Sequence, residues 1–268
     1  MKKHRPIPRK ATHHDRGPKT SWENVSGWYS GYMGKEGGDF QKDLIFPGAL
    51  HLLAPKKDGH YLDLACGQGA FTRLLATKVS KVDGLDAAKS LIDLAKKNAP
   101  KNARFVVDDA TNFAHLYQPS SLDGIVCNLA IQNIDALAPV FSDAARTLKH
   151  GGVFVITMNH PAYRQPRQSG WGWDEERKLQ YRRIDKYMSE YEMPIIAHPG
   201  SAPSVKTYSY HRPISVYINE LAKHGFVIEA LEEWVSNKVS DSGPRAKAEN
   251  IARQEIPMFL GIRAVKID

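Results

Sequence analysis

Cysteine is scarce in this sequence: Cys66 and Cys127 are the two in 268 residues. Two thiols cannot build a disulfide framework, which excludes a small stapled secreted scaffold. No run of about 18 apolar residues occurs, so no membrane-spanning helix is expected. The N-terminus lacks the apolar stretch of a secretory signal peptide. Acid is almost missing from residues 1–20, which hold Asp15 against seven Lys or Arg. A mitochondrial presequence shares that bias, but four prolines or glycines in the same twenty residues oppose an amphipathic helix. The reading is a cytoplasmic chain. There is no Cys/His cluster and no HxxxE-type pattern, so no metal site is expected. Internal repeats are absent as well.

What is present is ordinary for a globular protein: 42% apolar and 25% charged residues, with a formal charge of +8. A chain of this length can bury a sizeable core unaided. Six of the eight net positive charges lie in residues 1–20, so the high pI describes a tail more than a surface. Such a tail reads as a solvated arm or as a contact for RNA phosphates.

After a helical lead-in over Ser21–Leu53, strands and helices alternate. Strands are expected at Tyr61–Ala65, Lys81–Leu85, Arg104–Val107, Leu122–Asn128 and Val153–Met158. Helices are expected at Ala70–Thr77, Ala87–Asn98 and Leu137–Leu148, the last stopped by Gly151 and Gly152. This rhythm predicts an α/β fold, a doubly wound parallel sheet with right-handed crossovers. From His160 the rhythm breaks. Residues 160–212 are rich in aromatics and Arg, and a helix is expected over Asp174–Glu192. Pro213–His224 resumes the pattern, followed by strands at Phe226–Trp234 and Ile256–Val265. The polar segment 236–254 reads as a loop. The division is thus a tail (1–20), a helical lid segment (21–58) and one domain (59–268) carrying a cap insertion (160–212).

Asp63-Leu64-Ala65-Cys66-Gly67-Gln68-Gly69 follows a strand and opens a helix. Ligands of doubly wound sheets bind at such carboxyl ends, and glycine lets a ligand approach the backbone. Asp86 closes the next strand, seventeen positions after Gly69, where a carboxylate can accept ribose hydroxyls. A dinucleotide fingerprint needs a small third residue, yet that place holds Thr72. Asp63 would repel a pyrophosphate but could pair with an ammonium group. A nicotinamide dehydrogenase therefore fits poorly. S-adenosylmethionine, which has an amino acid end, a sulfonium and a ribose, fits better.

These residues resemble motif I of the class I S-adenosylmethionine-dependent methyltransferases (type 11/25-like), with Ala65 in place of the first glycine. Gly84-Leu85-Asp86 resembles motif II. Asp108-Asp109-Ala110 resembles the acid-alanine pair after strand three. Asp123–Asn128 resembles strand four, and Leu148–Phe154 resembles the glycine turn into strand five. The resemblance covers residues 60–158. It implies a Rossmann-like seven-stranded sheet with a cap after strand five. It also implies that Gly67 and Gly69 admit the methionine part of the cofactor, while Asp63 orders the loop or meets the ammonium. Asp86 would hold the ribose and Asp109 the adenine amino group, with Ala110 offering its N–H to the ring. Asn128 would stand beside the transferable methyl, with Ala65, Gln68 and Ala87 as further cofactor neighbours. Tyr29, beside Trp28, would close over the cofactor or anchor its helix to the core.

Methyl transfer asks the protein mainly to align the reactants and exclude water, with a base where the nucleophile carries a proton. His160, just past strand five, is the first candidate base and His211 the second. Tyr163, Trp171, Trp173, Tyr181 and Arg183 are the candidate substrate residues, on an expected helix face shared by Trp173, Arg177, Tyr181 and Met188. Aromatics with Arg suit a planar or anionic molecule, or stacked bases. Strand four is followed by Asn128-Leu129-Ala130-Ile131 and not by the Asn-Pro-Pro-Tyr of amino methyltransferases. The lack of paired catalytic cysteines argues against RNA cytosine-5 chemistry. The expected acceptor is a small or medium organic molecule modified on O, N or C. RNA methylation through the tail, or cofactor binding without catalysis, are the alternatives.

Overall fold

The computed structural model describes residues 22–34, 36–198 and 202–267; the basic tail lies outside them. A short helix α1 (Ser26–Met33) is followed by a π-helical stretch, Gln41–Ile45, that runs into α2 (Phe46–Leu53). Then come β1 (His60–Leu64), α3 (Ala70–Ala76), β2 (Lys81–Asp86), α4 (Lys89–Lys96) and β3 (Ala103–Val107). β4 (Leu122–Asn128), α5 (Leu137–Thr147) and β5 (Leu148–Asn159) complete the first half.

The cap follows as β6 (Ser169–Asp174), β7 (Leu179–Ile184), β8 (Tyr191–His198) and β9 (Ala202–His211). The chain ends with α6 (Ile214–Lys223), β10 (Phe226–Trp234), α7 (Ala246–Glu255) and β11 (Phe259–Lys266). Seven strands form one sheet in the order β10-β11-β5-β4-β1-β2-β3. β3, β2, β1, β4 and β5 run parallel, and β11 is antiparallel to both β5 and β10. The expected doubly wound sheet is therefore present, with an antiparallel final pair.

The central strands read as continuous apolar runs because both faces are covered. Alternate side chains go to opposite layers. Ile125, Cys127, Phe154 and Ile156 pack with α5 and α6 residues such as Val140, Phe141 and Leu221. Val126, Val153 and Val155 pack on the other face with Leu52, Phe71 and Leu75. Strand order reverses between β1 and β4, so the carboxyl ends of β1, β2, β4 and β5 open on one cleft.

Three expectations need correction. The helix over Asp174–Glu192 does not form. That region gives two antiparallel hairpins, β6–β7 and β8–β9. Gly172 pairs with Tyr181 across the first of these, and a Cβ on Gly172 would come within 2.3 Å of the Tyr181 ring. Alternation of Gly170, Trp171, Gly172 and Trp173 is a strand pattern with aromatic rings laid over glycines. The charged, helix-compatible composition after Trp173 masked it. Within 236–254, read as a loop, Ala246–Glu255 is helical and buries Ala252. The Ala, Lys, Glu and Arg residues there favour helix, and Gly243-Pro244 just upstream obscured the start. Finally, α5 stops at Thr147, where Leu148 turns extended and pairs with Leu122, ahead of the two glycines.

Candidate functional site

The turn from β1 to α3 is held in a left-handed path, with φ of 58° at Ala65, 56° at Gly67 and 78° at Gly69. Ala65 tolerates this strain because its neighbours are pinned: Cys66 N–H donates to Leu85 C=O at 2.9 Å and Gly69 N–H to Cys66 C=O at 3.0 Å. A Cβ on Gly69 would sit 2.6 Å from the Phe105 ring. A Cβ on Gly67 would face the Tyr29 ring at 3.4 Å, so this glycine keeps open a narrow slot between the loop and α1.

Two carboxylates brace the loop. Asp86, at the end of β2, accepts the N–H of Gly67 and the N–H of Ala88, each at 2.8 Å. Burial raises its pKa, and those two hydrogen bonds oppose the rise. Each oxygen keeps a second lone pair. Asp63, 1% exposed, accepts the Thr72 hydroxyl at 2.6 Å. Burial pushes its carboxyl up to about 7, against the Thr72 hydrogen bond and with the Asp86 charge adding to the rise. Thr72 is thus the residue that ties the first helix to the strand.

Asp108 N–H donates to Asp86 C=O at 3.1 Å, which sets the end of β3 beside that of β2. Asp109 accepts the Thr111 N–H at 2.9 Å and its hydroxyl at 2.8 Å, an Asx-type turn that fixes the carboxylate. The structure therefore brings Asp63, Gly67, Gly69, Asp86 and Asp109 to one sheet edge. Ala87 and Ala110 follow Asp86 and Asp109 directly at that edge.

Tyr29 lies across this edge from α1. Burial pushes its phenol up to about 12; a hydrogen bond with Gln41 opposes that, and the charges of Asp86, Cys66 and Asp63 add to it. Asp63, Ala65, Gln68, Tyr29 and Asn128 line one cleft. Asn128 Nδ2 is buried there without a hydrogen-bond partner among the described residues, and its Oδ1 accepts the Thr157 hydroxyl at 3.0 Å. An orphaned donor beside an acid-braced loop is open to an acceptor from water or from a ligand.

Beside the cleft lies a cavity of about 540 Å³, and Tyr29, Met33 and Gln41 line both. This volume suits a small ligand. Met158 and Phe259 supply apolar wall from the sheet, and Phe40 from the N-terminal segment. Met193, Ile195, Ser209 and His211 come from alternate positions of β8–β9, so that hairpin roofs the cavity. Among the described residues, Asp39, Arg164, Arg212 and Lys238 are its Asp, Lys or Arg residues. Lys238 pairs with Asp39 at 2.7 Å, and Arg164 stacks on Phe259 at 4.4 Å.

Both candidate histidines line this cavity, in different states. His160 Nε2 lies 2.7 Å from Glu233, and its Nδ1 accepts the N–H groups of Ala162 at 3.1 Å and Tyr163 at 3.4 Å. Both ring nitrogens are thus committed, and His160 pins the turn that leaves β5. His211 donates from Nε2 to the Tyr187 carbonyl at 2.8 Å, which makes Nδ1 the basic nitrogen. Burial lowers the pKa of both rings.

The five expected substrate residues fall elsewhere: Tyr163, Trp171, Trp173, Tyr181 and Arg183 do not line the cavity. Tyr163 stacks behind His160 at 4.7 Å, Trp171 carries Arg182 and Trp173 carries Arg245. Tyr181 is 43% exposed, and Arg183 pairs with Asp185 at 2.9 Å. Because the cap is strands, its second hairpin reaches the cavity while its first does not. Gln41, Gln132, Met193 and Arg212 are wall residues that the sequence reading missed. For Met193 the usable signal was period-two alternation after Tyr191; nothing local marked Gln41, Gln132 or Arg212.

A family model described as a methyltransferase domain matches residues 55–190. The chain belongs to the S-adenosylmethionine-dependent methyltransferase family. The crystal structure of an S-adenosylmethionine-dependent methyltransferase from Mesorhizobium loti superposes with a TM-score of 0.66 at 25% identity, over 82% of this chain and 96% of that one. The biotin biosynthesis bifunctional protein of Cellvibrio japonicus is 32% identical over 127 residues, 47% of this chain and 23% of that protein. A trans-aconitate 2-methyltransferase from Acidovorax is 31% identical over 122 residues, 42% of this chain and 46% of that enzyme. The match thus spans less than half the length of either of these two curated relatives.

Proposed function

We propose that this chain transfers a methyl group from S-adenosylmethionine to an O, N or C nucleophile of a small or medium-sized organic molecule. The observation that carries this reading is the roofed cavity of about 540 Å³ sharing Tyr29, Met33 and Gln41 with the cleft over the glycine loop. A half-open pocket of this volume beside the loop suits a small acceptor. Relatives named as trans-aconitate and demethylmenaquinone methyltransferases support a small acceptor. The RNA reading rests on residues 1–20 and on 66 residues that are 42% identical to an rRNA methyltransferase, which is 25% of this chain.

The residues present fit the cofactor. Gly67 keeps a slot beside Tyr29, Asn128 has a donor to spare, and two braced acids stand at the strand ends. Asp86 would hold the ribose with its remaining lone pairs, and Asp109 with the Ala110 N–H would hold the adenine. Asp63 would face the ammonium. Bound there, the sulfonium supplies an already activated methyl. The chain's own work is to align the acceptor, close the site with Tyr29 and the β8–β9 roof, and take a proton where the nucleophile carries one. His211 Nδ1, left as the basic nitrogen by the Nε2 bond to Tyr187, would take that proton.

Calorimetry with S-adenosylhomocysteine tests the reading. Wild-type protein is expected to bind it, and Asp86→Ala to bind it at least about tenfold more weakly while the circular dichroism spectrum is kept. Absence of wild-type binding would leave a methyltransferase-like fold without the chemistry.

A further inference from the structure

The charged groups of the cavity wall are not balanced. Among the described residues three cations, Arg164, Arg212 and Lys238, stand against the single carboxylate of Asp39. Both histidines are held toward their neutral forms by burial. Asp39 is engaged by Lys238, and Arg164 lies on the Phe259 ring.

Arg212 also lies over a ring, that of Tyr210 at 5.5 Å, and its guanidinium interacts with the Tyr217 phenol, but it is far more buried than Lys238. Its side chain is 7% exposed, and Nη2 donates to the Asp135 carbonyl. The Glu190 carboxylate reaches Nε no closer than 3.8 Å and is itself 60% exposed. Nη1 is buried and has no hydrogen-bond acceptor among the described residues. A buried guanidinium with an unmet N–H and a distant, solvated counter-ion is costly unless something supplies an oxygen. The wall is mixed: Met158, Met193, Ile195, Phe40 and Phe259 supply its apolar surface, and Gln132, Asn133, Gln165 and Ser209 its neutral polar groups.

The geometry points to a methyl acceptor that is an amphiphilic organic acid, its apolar body against the methionine and phenylalanine wall and its carboxylate on Arg212. This rests on the proposed methyl transfer for the word acceptor; the binding itself does not. Planar, directional donors make Arg the suitable partner for a carboxylate. Lys238 is less suited, since it is already neutralised at the mouth.

Calorimetry on the full chain can test this with two probes, 3-phenylpropionate and octanoate, each against its uncharged primary amide. Binding of S-adenosylhomocysteine is measured in a separate titration, so failure of the methyl-transfer reading shows there and not in the acid series. The expected result is that each acid binds at least about tenfold more tightly than its amide, and that Arg212→Gln cuts this advantage to about twofold or less. Equal binding of acid and amide, an advantage unchanged in Arg212→Gln, or no binding of either acid would overturn the proposal. If Arg212→Gln does not fold, a crystal soaked with 3-phenylpropionate decides. A carboxylate within hydrogen-bond distance of the Arg212 guanidinium supports the assignment, and a carboxylate placed elsewhere overturns it.

Discussion

The Thr72 hydroxyl donates to the Asp63 carboxylate at 2.6 Å, closing the first turn of α3 onto the end of β1. Burial dominates how Asp63 titrates, and this bond opposes it. Burial holds the acid up to about 7, Thr72 pulls it back and Asp86 pushes it further. An acid whose pKa is raised on folding favours the native state fully below its unfolded value of about 4. That contribution is lost as pH climbs to about 7. The ligand-free protein is therefore expected to lose stability from this group between those values. A cofactor ammonium facing Asp63 would favour its ionised form and release a proton on binding. S-adenosylmethionine affinity should then rise from pH 6 to pH 8. Asp63→Asn should flatten that rise, with calorimetry in two buffers of different ionisation enthalpy reading the proton directly. A rise that persists in Asp63→Asn would assign the proton elsewhere.

The two loop glycines should respond differently to a methyl group. Gly69 has φ of 78°, and its Cβ would enter the Phe105 ring at 2.6 Å. Strain plus overpacking should cost Gly69→Ala at least about 2 kcal/mol in urea melts. Gly67 has φ of 56° but only an ordinary contact with Tyr29 at 3.4 Å. Gly67→Ala should cost about 1 kcal/mol of stability and yet lose more cofactor affinity than its melt accounts for. Matching losses in both properties would mean that Gly67 serves the turn alone.

The glycine loop and sheet were legible because local rules and tertiary structure agree there. Asp63, Gly67, Gly69 and Asp86 announce a strand-turn-helix-strand, and the covered central strands have to be apolar on both faces. The cap was not legible for the opposite reason. Lys178, Arg182, Arg183 and Asp185 suit a helix surface, while the strand pairing is carried by long-range partners such as Gly172 with Tyr181 and Met193 with Ser209. Once the cap became two hairpins, a face made of Trp173, Arg177, Tyr181 and Met188 had no existence. The wall passed to Met193, His211 and Arg212. Whether a histidine is a base is likewise invisible in sequence, because it depends on which ring nitrogen a distant carbonyl or carboxylate takes.

That distinction separates His160 from His211. His160 is 2% exposed, with one nitrogen on Glu233 and the other on the turn N–H groups. Its lowered pKa means that stability from this ring is held above about 6.5 and lost as pH falls below it. His160→Ala should cost about 1–3 kcal/mol in denaturant melts while leaving single-turnover methyl transfer per folded molecule within about twofold. His211 should behave in the reverse way. With Nε2 fixed on Tyr187, His211→Gln should lower turnover at least about tenfold and remove the acid limb of the pH–rate profile, which lies below 6.5 because burial lowers its pKa. Equal turnover with His211→Gln would mean that the acceptor needs no base or uses another.

The first hairpin gives the sharpest control on where the acceptor sits. Trp173 in β6 lies under the Arg245 guanidinium at 4.6 Å, and Arg245 also pairs with Glu175 at 2.8 Å. This links the cap to the residue just before α7 and touches none of the cavity wall. An exposed cation–π contact of this kind contributes about 0.5–1 kcal/mol. Trp173→Ala is therefore expected to lower the melting temperature by a few degrees at most, and to leave both S-adenosylhomocysteine affinity and acceptor KM unchanged. Met193→Ala, from the second hairpin, should raise acceptor KM at least about fivefold, because it opens an apolar wall. Steady-state kinetics on the two variants separates them. A raised KM in Trp173→Ala with normal kinetics in Met193→Ala would put the acceptor on the outer hairpin and remove it from the roofed cavity.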